Sequence, residues 1–482
     1  MTFTLLDTQF HVLPMQTRVP FQYGIASMTA LPHLFVSVDM VVEGVAVRGL
    51  ASEGLPPKWF TKNPDTPFEL DLAEMLAVIQ NASRIAENAA QVPVSFFGWW
   101  LALYEEQARW ATLRAQPSLL ANLGVSLLER AVLDGLCRAK NRPLHSFLRA
   151  DELQIDLGQI HPELRGMSLA EALPDQPLDQ VAVRHTVGLA DPLRSSETAT
   201  LADGLPCTLE ESIRAYGLRY FKIKLSGRID VDQPRLREIT TVLLENCQGG
   251  FKITLDGNEQ FTDLMSFREF YATLSADASL APLMGNLLMV EQPLHRAHAL
   301  KDEIATQLAS WPDAPLLIID ESEGTFDDLP RALELGYSGT SHKNCKGVVK
   351  SLVNAALLKK RASSIGRPLI QSAEDLANIG PVALLQDLAV VALLGIPHVE
   401  RNGHHYFRGL SQYPDGIQSQ VMATHPDLYR QHEYGFPTLD IREGLLDLRS
   451  VNAAPFGCGI DLDVTQFPTL KAWIMGGGMG ML

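Results

Sequence analysis

The sequence predicts an α/β protein: a (β/α)8-type barrel preceded by an α+β domain. Three observations carry this reading. Downstream of residue 181, short apolar runs alternate with helical stretches eight times, which is the texture of a parallel sheet. Five consecutive runs end in a charged residue (Lys224, Asp256, Glu291, Asp320, Lys343), at intervals of 32, 35, 29 and 23 residues. A barrel of about 250 residues divided by eight gives roughly 31 per βα unit. Upstream, strand-like pieces are followed by helices, as in an α+β domain. Alternation alone also fits an open doubly wound sheet.

The N-terminal region, 1–140, has strand-like pieces at 10–13, 34–42 and 45–50 and helix-like stretches at 71–92 and 96–114. The stretch SLLANLGVSLLERAVLDGLCRA places apolar residues three and four apart, so it predicts an amphipathic helix. Residues 141–180, rich in Pro, Asp and Gln, read as a connection or insertion. The barrel runs occupy 181–187, 219–224, 251–256, 287–292, 316–320, 337–343, 368–372 and 397–401, within a barrel region of 181–410. The sixth, YSGTSHK, is weak as a strand by itself. A C-terminal segment, 411–482, carries turn signals and ends in GGGMGML, which no helix follows; it predicts a mobile end and no phosphate loop.

Composition narrows the function. Of 482 residues, 46% are hydrophobic and 20% charged, ordinary globular usage. Lys plus Arg is 40 and Asp plus Glu 56, a net charge of −16. That balance repels phosphate, so no nucleic-acid partner and no anionic membrane is expected. Five scattered cysteines without a CxxC argue against a zinc knuckle or a disulfide framework and fit a reducing compartment. The opening MTFTLLDTQFHVL lacks a basic stretch and apolar run, and no run of about 18 apolar residues occurs. The expectation is a soluble cytoplasmic protein.

The chemistry is written where the runs end: FKIK, ITLDGN, LLMVEQP, LLIIDES and SHKNCK. In a barrel the C-terminal ends of the strands face the active site. A charge placed there behind buried Ile, Leu and Val is costly unless it is paired or bound to a metal. Asp256, Glu291 and Asp320 come from three neighbouring strands. Three hard oxygen donors without Cys or His suit Mg²⁺, with Mn²⁺ its nearest competitor. Lys222 and Lys224, two apart on a strand, point to one face. Their mutual repulsion and burial predict that one pKa falls toward the range of a base. Lys343 ends the sixth run, across the barrel, and is preferred to Lys346, which reads as the start of the next helix.

In this order and spacing KIK, DGN, EQP, DES and K-N-C-K-G resemble the enolase superfamily, within it the muconate lactonizing enzyme-like branch. VPFQYGIASM with VAVRGLASEG is similar to that family's capping domain, and APFGCGIDLD to its closing segment, which returns to the cap. The resemblance spans most of the chain. It implies a modified (β/α)8 TIM-type barrel under an N-terminal α+β capping domain. It implies Mg²⁺ on Asp256, Glu291 and Asp320, chelating a small carboxylate substrate. It implies Lys224 and Lys343 as bases or acids on the two faces of the α-carbon, through an enediolate intermediate, with Lys222 tuning Lys224 and contacting the carboxylate. The net outcome is racemisation, epimerisation or cycloisomerisation, with β-elimination or a non-catalytic metal-binding barrel as alternatives. A homo-oligomer is implied by resemblance alone.

Two departures limit it. The seventh run, LIQSAEDL, lacks the His of the mandelate racemase-like and sugar-acid dehydratase branches. The eighth, HVERNGHHYF, lacks the D-x-D with which dipeptide epimerases hold an ammonium group. Asn258, Glu374, Glu400 and Tyr23 are candidate substrate contacts, and Asp375 is another acid in range. Cap loops at 20–29 and 53–60 offer Phe21, Met28, Trp59 and Phe60, which hint at a partly hydrophobic substrate. His404 and His405, adjacent on a strand, are expected to face opposite ways.

Overall fold

The computed structural model of the chain describes residues 1–197 and 201–480. The N-terminal sheet is an antiparallel meander of β1 (Thr2–Tyr23), β2 (Ala26–Val42) and β3 (Val45–Gly54), with the short β4 (Val94–Ser95) on its far edge, in the order β3-β2-β1-β4. Glu43 and Gly44, both at positive φ (48° and 87°), join β2 to β3 as a two-residue hairpin loop with the twist that flanking strands require. The strands run longer than their apolar cores indicated. The expected cap loop at 20–29 is the tip of the β1–β2 hairpin, with Tyr23 paired to Ala26.

Three helices, α1 (Phe68–Ala89), α2 (Phe96–Leu113) and α3 (Ser118–Lys140), pack on this sheet. Of these α3 is buried from Leu119 to Cys137. Gly49 of β3 meets it closely: a Cβ there would stand 2.0 Å from Ala131 O. The far face of α3 touches the barrel, where the Glu129 carboxylate accepts from Val348 N at 3.2 Å. Residues 141–180 contain the short helices Leu144–Arg149, Leu157–Ile160 and Leu169–Ala172.

All eight predicted barrel strands are present. They are β5 (Gln180–Val187), β6 (Tyr220–Lys224), β7 (Lys252–Asp256), β8 (Leu287–Glu291), β9 (Leu317–Ile319), β10 (Gly339–His342), β11 (Ile370–Ala373) and β12 (His398–Arg401). The parallel ladder runs β11-β10-β9-β8-β7-β6-β5-β12. Between β11 and β12 side chains take over from the ladder: Asp375 N donates to Glu400 Oε2 at 3.1 Å and Asn402 N to Asp375 Oδ2 at 2.9 Å. The sixth strand was weak in sequence for a physical reason. A Cβ on Gly339 would lie 1.8 Å from Ile370 O, so the pairing of β10 with β11 requires the glycine that dilutes the strand signal.

The chain then forms a β13 (Tyr429–Gln431)–β14 (Pro437–Leu439) hairpin, and β15 (Leu445–Asp447) pairs antiparallel with the start of β5. It returns to the N-terminal sheet, where Phe467 stacks on Phe35 (5.0 Å between centroids) and Thr469 bridges to His11. The terminal glycine cluster, expected to be mobile, forms a 3-10 turn at Gly478–Gly480 with Gly478 against the Trp473 ring; Met481 and Leu482 lie outside the described residues. Among the described residues no helix is long and apolar enough to cross a membrane.

Candidate active site

At the C-terminal ends of β6, β7 and β8 the register sets Lys224 beside Asp256 and Asp256 beside Glu291. The period of two turns Lys222 and Lys224 to the same inner face, and both are buried. Lys222 is the hub of this side. Its Nζ lies 2.9 Å from Asp256 Oδ2, 2.6 Å from Glu291 Oε2, 2.8 Å from Glu374 Oε2 and 3.0 Å from Glu400 Oε2. Lys224 Nζ donates to the same Asp256 Oδ2 at 2.6 Å. Burial alone would lower the Lys222 pKa, but the carboxylates outweigh it and hold the group well above the ordinary lysine value. Lys222 is therefore not the lysine of the pair whose pKa falls.

On the other side of the mouth the charges are reversed. Asp320, just past β9, is the hub. Lys343 Nζ donates to its Oδ2 at 2.6 Å, Lys346 Nζ stands 2.9 Å from Oδ1, and the Ser341 hydroxyl donates to Oδ1. Burial opposes ionisation of Asp320, yet Lys343, Lys346 and Lys222 hold its carboxyl well below the usual range. Burial likewise opposes the Lys343 ammonium, and Asp320 overcomes it, so Lys343 too is held above its ordinary value. Lys346 ends a 3-10 turn (Asn344–Lys346) and points inward to Asp320 and Glu323. The sequence reading had set it aside as a helix start.

Above this floor is a small, partly open cavity of ≈ 30 Å³. Lys224, Lys343, Asn258 and Glu400 supply its polar side; Phe21, Tyr23, Met28 and Trp59 supply an apolar side from the N-terminal sheet and the segment after it. Asn258 sits at φ +40°, and its buried Oδ1 has no hydrogen-bond partner among the described residues. Tyr23 Oη donates to Pro57 O at 2.8 Å. Glu400 accepts from Thr186 Oγ1 at 2.7 Å; burial opposes its charge, but Lys222, Lys224 and Lys343 hold its carboxyl below the usual range.

Half of the predicted site residues therefore line the cavity: Lys224, Lys343, Asn258, Glu400 and Tyr23. Lys222, Asp256, Glu291 and Asp320 form the floor beneath it. Glu374 joins them there, which corrects its expected role in touching substrate. It is wholly buried, and its carboxylate is consumed by the Arg184 guanidinium, the Ser372 hydroxyl and Lys222.

The donors suit a hard divalent cation, and one of them asks for it. Glu291 is fully buried; Lys222 lies close to Oε2 but out of line for a hydrogen bond, and among the described residues neither carboxylate oxygen accepts one. Burial, then Asp256 and Glu374, push its pKa well above the carboxylate range. An orphaned carboxyl among other acids is the charge pattern that a bound cation relieves. Among the described residues no three acid, His or Cys side chains close on a common point; Asp256 and Asp320 are each paired with ammonium groups.

Comparison with solved structures decides the fold. A dipeptide epimerase from Enterococcus faecalis V583, complexed with Mg and L-Leu-L-Tyr, superposes with a TM-score of 0.60 at 15% identity, covering 95% of this chain and 99% of that one. An N-succinyl Arg/Lys racemase from Bacillus cereus gives 0.59 at 16%, covering 98% of each. A muconate lactonizing enzyme from Pseudomonas fluorescens, complexed with muconolactone, gives 0.58 at 14%, covering 96% and 98%. The chain has the enolase-superfamily fold. No protein-family model and no curated protein matches it by sequence. Within the enolase-superfamily fold, the capping sheet and the barrel mouth enclose the cavity just described.

Several residues of the site carried no motif. Arg184 and Thr186 of β5, Ser341 of β10 and Asn402 past β12 hold the charged groups in place. Only the alternation of β5 hinted that Arg184 and Thr186 share the inner face. The histidines also differ from expectation. His404 and His405 lie in a helical turn (Gly403–Tyr406), and both rings approach His185 of β5, at 5.1 and 5.2 Å between centroids. Burial pushes His185 and His405 down to about 3.

Proposed function

We propose that this chain is a Mg²⁺-dependent enzyme that removes the proton α to the carboxylate of a small substrate, with net racemisation, epimerisation or cycloisomerisation through an enediolate. The observation that supports it most is the pair Lys224 and Lys343. They enter one cavity from β6 and β10, on opposite sides of the ring, above the acids of β7, β8 and β9. Two amines so placed address both faces of an α-carbon. The structural neighbours include a racemase, an epimerase and a lactonizing enzyme, which supports this reaction class.

Asp256, Glu291 and Asp320 would hold the metal, and the orphaned Glu291 is the residue with most to gain from it. When bound, Mg²⁺ supplies a Lewis acid for the substrate carboxylate and stabilises the charge that develops on it. The protein does the rest. Lys224 takes or gives a proton on one face, Lys343 on the other, each anchored by an acid at 2.6 Å. Asn258 offers an unpartnered carbonyl oxygen to a substrate donor. Phe21, Tyr23, Met28 and Trp59 exclude water and receive an apolar distal group. Asp375 also faces the cavity, but its oxygens are taken by Asn378 N (2.8 Å) and Asn402 N (2.9 Å), so a substrate ammonium finds no free acid there. This favours an uncharged distal group over the free dipeptide of the epimerase neighbour. The protein acts as a homo-oligomer in a reducing compartment such as the cytoplasm, consistent with five free cysteines.

The test is exchange of the α-hydrogen in D₂O across a library of N-acyl and aryl carboxylates, with Mg²⁺ present. Exchange in the wild type that falls by about 10²–10⁴-fold in Lys224→Met or Lys343→Met supports the reading. Absence of exchange from every acid, while Mg²⁺ is bound, refutes it.

A further inference from the structure

The segment between β3 and α1 is fastened to the barrel by one guanidinium. Arg296, beyond β8, donates through Nη2 to Trp59 O at 2.9 Å and through Nη1 to Phe60 O at 2.8 Å. Glu259, beyond β7, holds the same guanidinium: Nε donates to Oε1 and Nη2 to Oε2, both at 2.8 Å, and Arg296 N donates to Oε1 at 2.8 Å. Lys62 adds to the clamp, 3.7 Å from Glu259 Oε2 and donating to Asn258 O. Glu259 is buried at φ +63°, following Asn258 at φ +40°, a left-handed stretch that turns its carboxylate toward the segment. A planar fork that binds a carboxylate and two carbonyls at once is specific to arginine.

What the clamp holds in place is Trp59. Its ring faces Lys343 Nζ at 4.4 Å from the centroid. A cation over an indole face is attracted by the ring quadrupole, and the long lysine stem loses freedom as a result. Among the described residues Lys224 pairs with Asp256 alone; it shares the cavity with Trp59, but the cation–π contact is made by Lys343. We propose that Glu259 and Arg296 are positioning residues for Lys343: they clamp the cap segment so that Trp59 seats and shields the Lys343 ammonium, while Lys224 lies outside their reach.

The consequence for turnover rests on the proton-transfer reading; the clamp itself is tested without turnover. Wild type, Trp59→Leu, Trp59→Phe and Arg296→Gln are treated with formaldehyde and cyanoborohydride, and methylation of each lysine is followed by peptide mass spectrometry. Lys343 is expected to label about tenfold faster in Trp59→Leu and Arg296→Gln, and within about threefold of wild type in Trp59→Phe, which keeps an aromatic face. Lys224 serves as the internal reference and should move less than about twofold in all of them. Equal acceleration at both lysines means general loosening and overturns the proposal, as does an unchanged Lys343. Trp59→Phe labelling like Trp59→Leu also overturns it, because any bulky cover would then serve. Trp59→Phe and Trp59→Leu decide the matter if Arg296→Gln does not fold. A wild type without α-hydrogen exchange would remove the catalytic reading and leave the labelling result standing.

Discussion

The two sides of the barrel mouth solve the same problem in opposite ways. On the β6–β8 side one ammonium, Lys222, is surrounded by four carboxylates. On the β9–β10 side one carboxylate, Asp320, is held by two ammoniums and a hydroxyl. Both hubs are buried, so neither tolerates loss of its partners. They differ in what is left over. The first side has more carboxyl groups than its lysines match, and Glu291, whose pKa burial and the neighbouring acids push up, is the one without a hydrogen bond among the described residues. The second is complete without any added ion. A divalent cation therefore has reason to settle on the first side, and Asp320 can reach it only by sharing with its lysines.

The largest effect that separates the two sides is predicted for Lys222→Met. It leaves Asp256, Glu291, Glu374 and Glu400 crowded without their common cation. Breaking a buried pair of this kind costs about 3–5 kcal/mol, read as a lower urea midpoint, and millimolar Mg²⁺ should restore stability to this variant more than to wild type. Asp320→Asn should cost less, toward the lower end of about 3–5 kcal/mol, because Lys343 loses its acid while Lys346 keeps Glu323 and both oxygens of Ser341. Equal losses at the two hubs would mean that the asymmetry read from the structure has no energetic content.

The β6–β10 half of the site was legible because its residues end apolar runs at regular spacing, and a buried charge in that position has few explanations. The β11 and β12 contributions, Glu374 and Glu400, were legible only as candidates, and those of β5 not even so. Glu374 and Glu400 stand among other polar residues, and nothing local shows that one is consumed by Arg184 while the other reaches the cavity. Lys346 does stand just before the helix at Val348–Ala362, but the 3-10 turn that aims it at Asp320 and Glu323 left no signal in the sequence. The fold itself was readable to within a few residues in all eight barrel strands, the cap strands less so, since their polar positions hide the continuity of β1 and β2. The clamp at Glu259 and Arg296 left no signal at all, being made of a turn and two backbone carbonyls that only the tertiary fold brings together.

Away from the two hubs, the histidines predict how acid should act. His185 and His405, held down to about 3 by burial, are neutral in the folded protein and titrate near 6.5 once exposed. The unfolded chain therefore binds more protons between those values. The stability they contribute is fully present above pH 6.5 and is lost as pH falls toward 3, about 2 kcal/mol for each by pH 5. A double variant, His185→Gln with His405→Gln, should make the pH dependence of the unfolding free energy between pH 6.5 and 5 shallower, leaving the part that His33, His398, His404 and His425, also lowered by burial, contribute. An unchanged slope would place the acid sensitivity elsewhere, in the other buried histidines or the carboxylate hubs.

The finest test of the asymmetry uses two hydroxyls, one per side. Thr186 Oγ1 donates to Glu400 Oε1 at 2.7 Å, on the side with the surplus of carboxyl groups. Ser341 Oγ donates to Asp320 Oδ1, which Lys346 also approaches at 2.9 Å. Thr186→Val keeps the shape and strips Glu400 Oε1 of its donor, leaving a buried carboxylate oxygen unpaired at a cost of about 1–3 kcal/mol. Ser341→Ala removes a donor from an oxygen that retains an ammonium, so the loss should be about 0.5–1.5 kcal/mol. Added Mg²⁺ should narrow the gap, because a cation beside Glu291 draws down the negative potential that Glu400 feels and has little to offer Asp320 beyond what its lysines already supply. Paired urea titrations with and without Mg²⁺ measure this directly. A larger loss for Ser341→Ala than for Thr186→Val would invert the order of the two sides and, with it, the argument for where the cation sits.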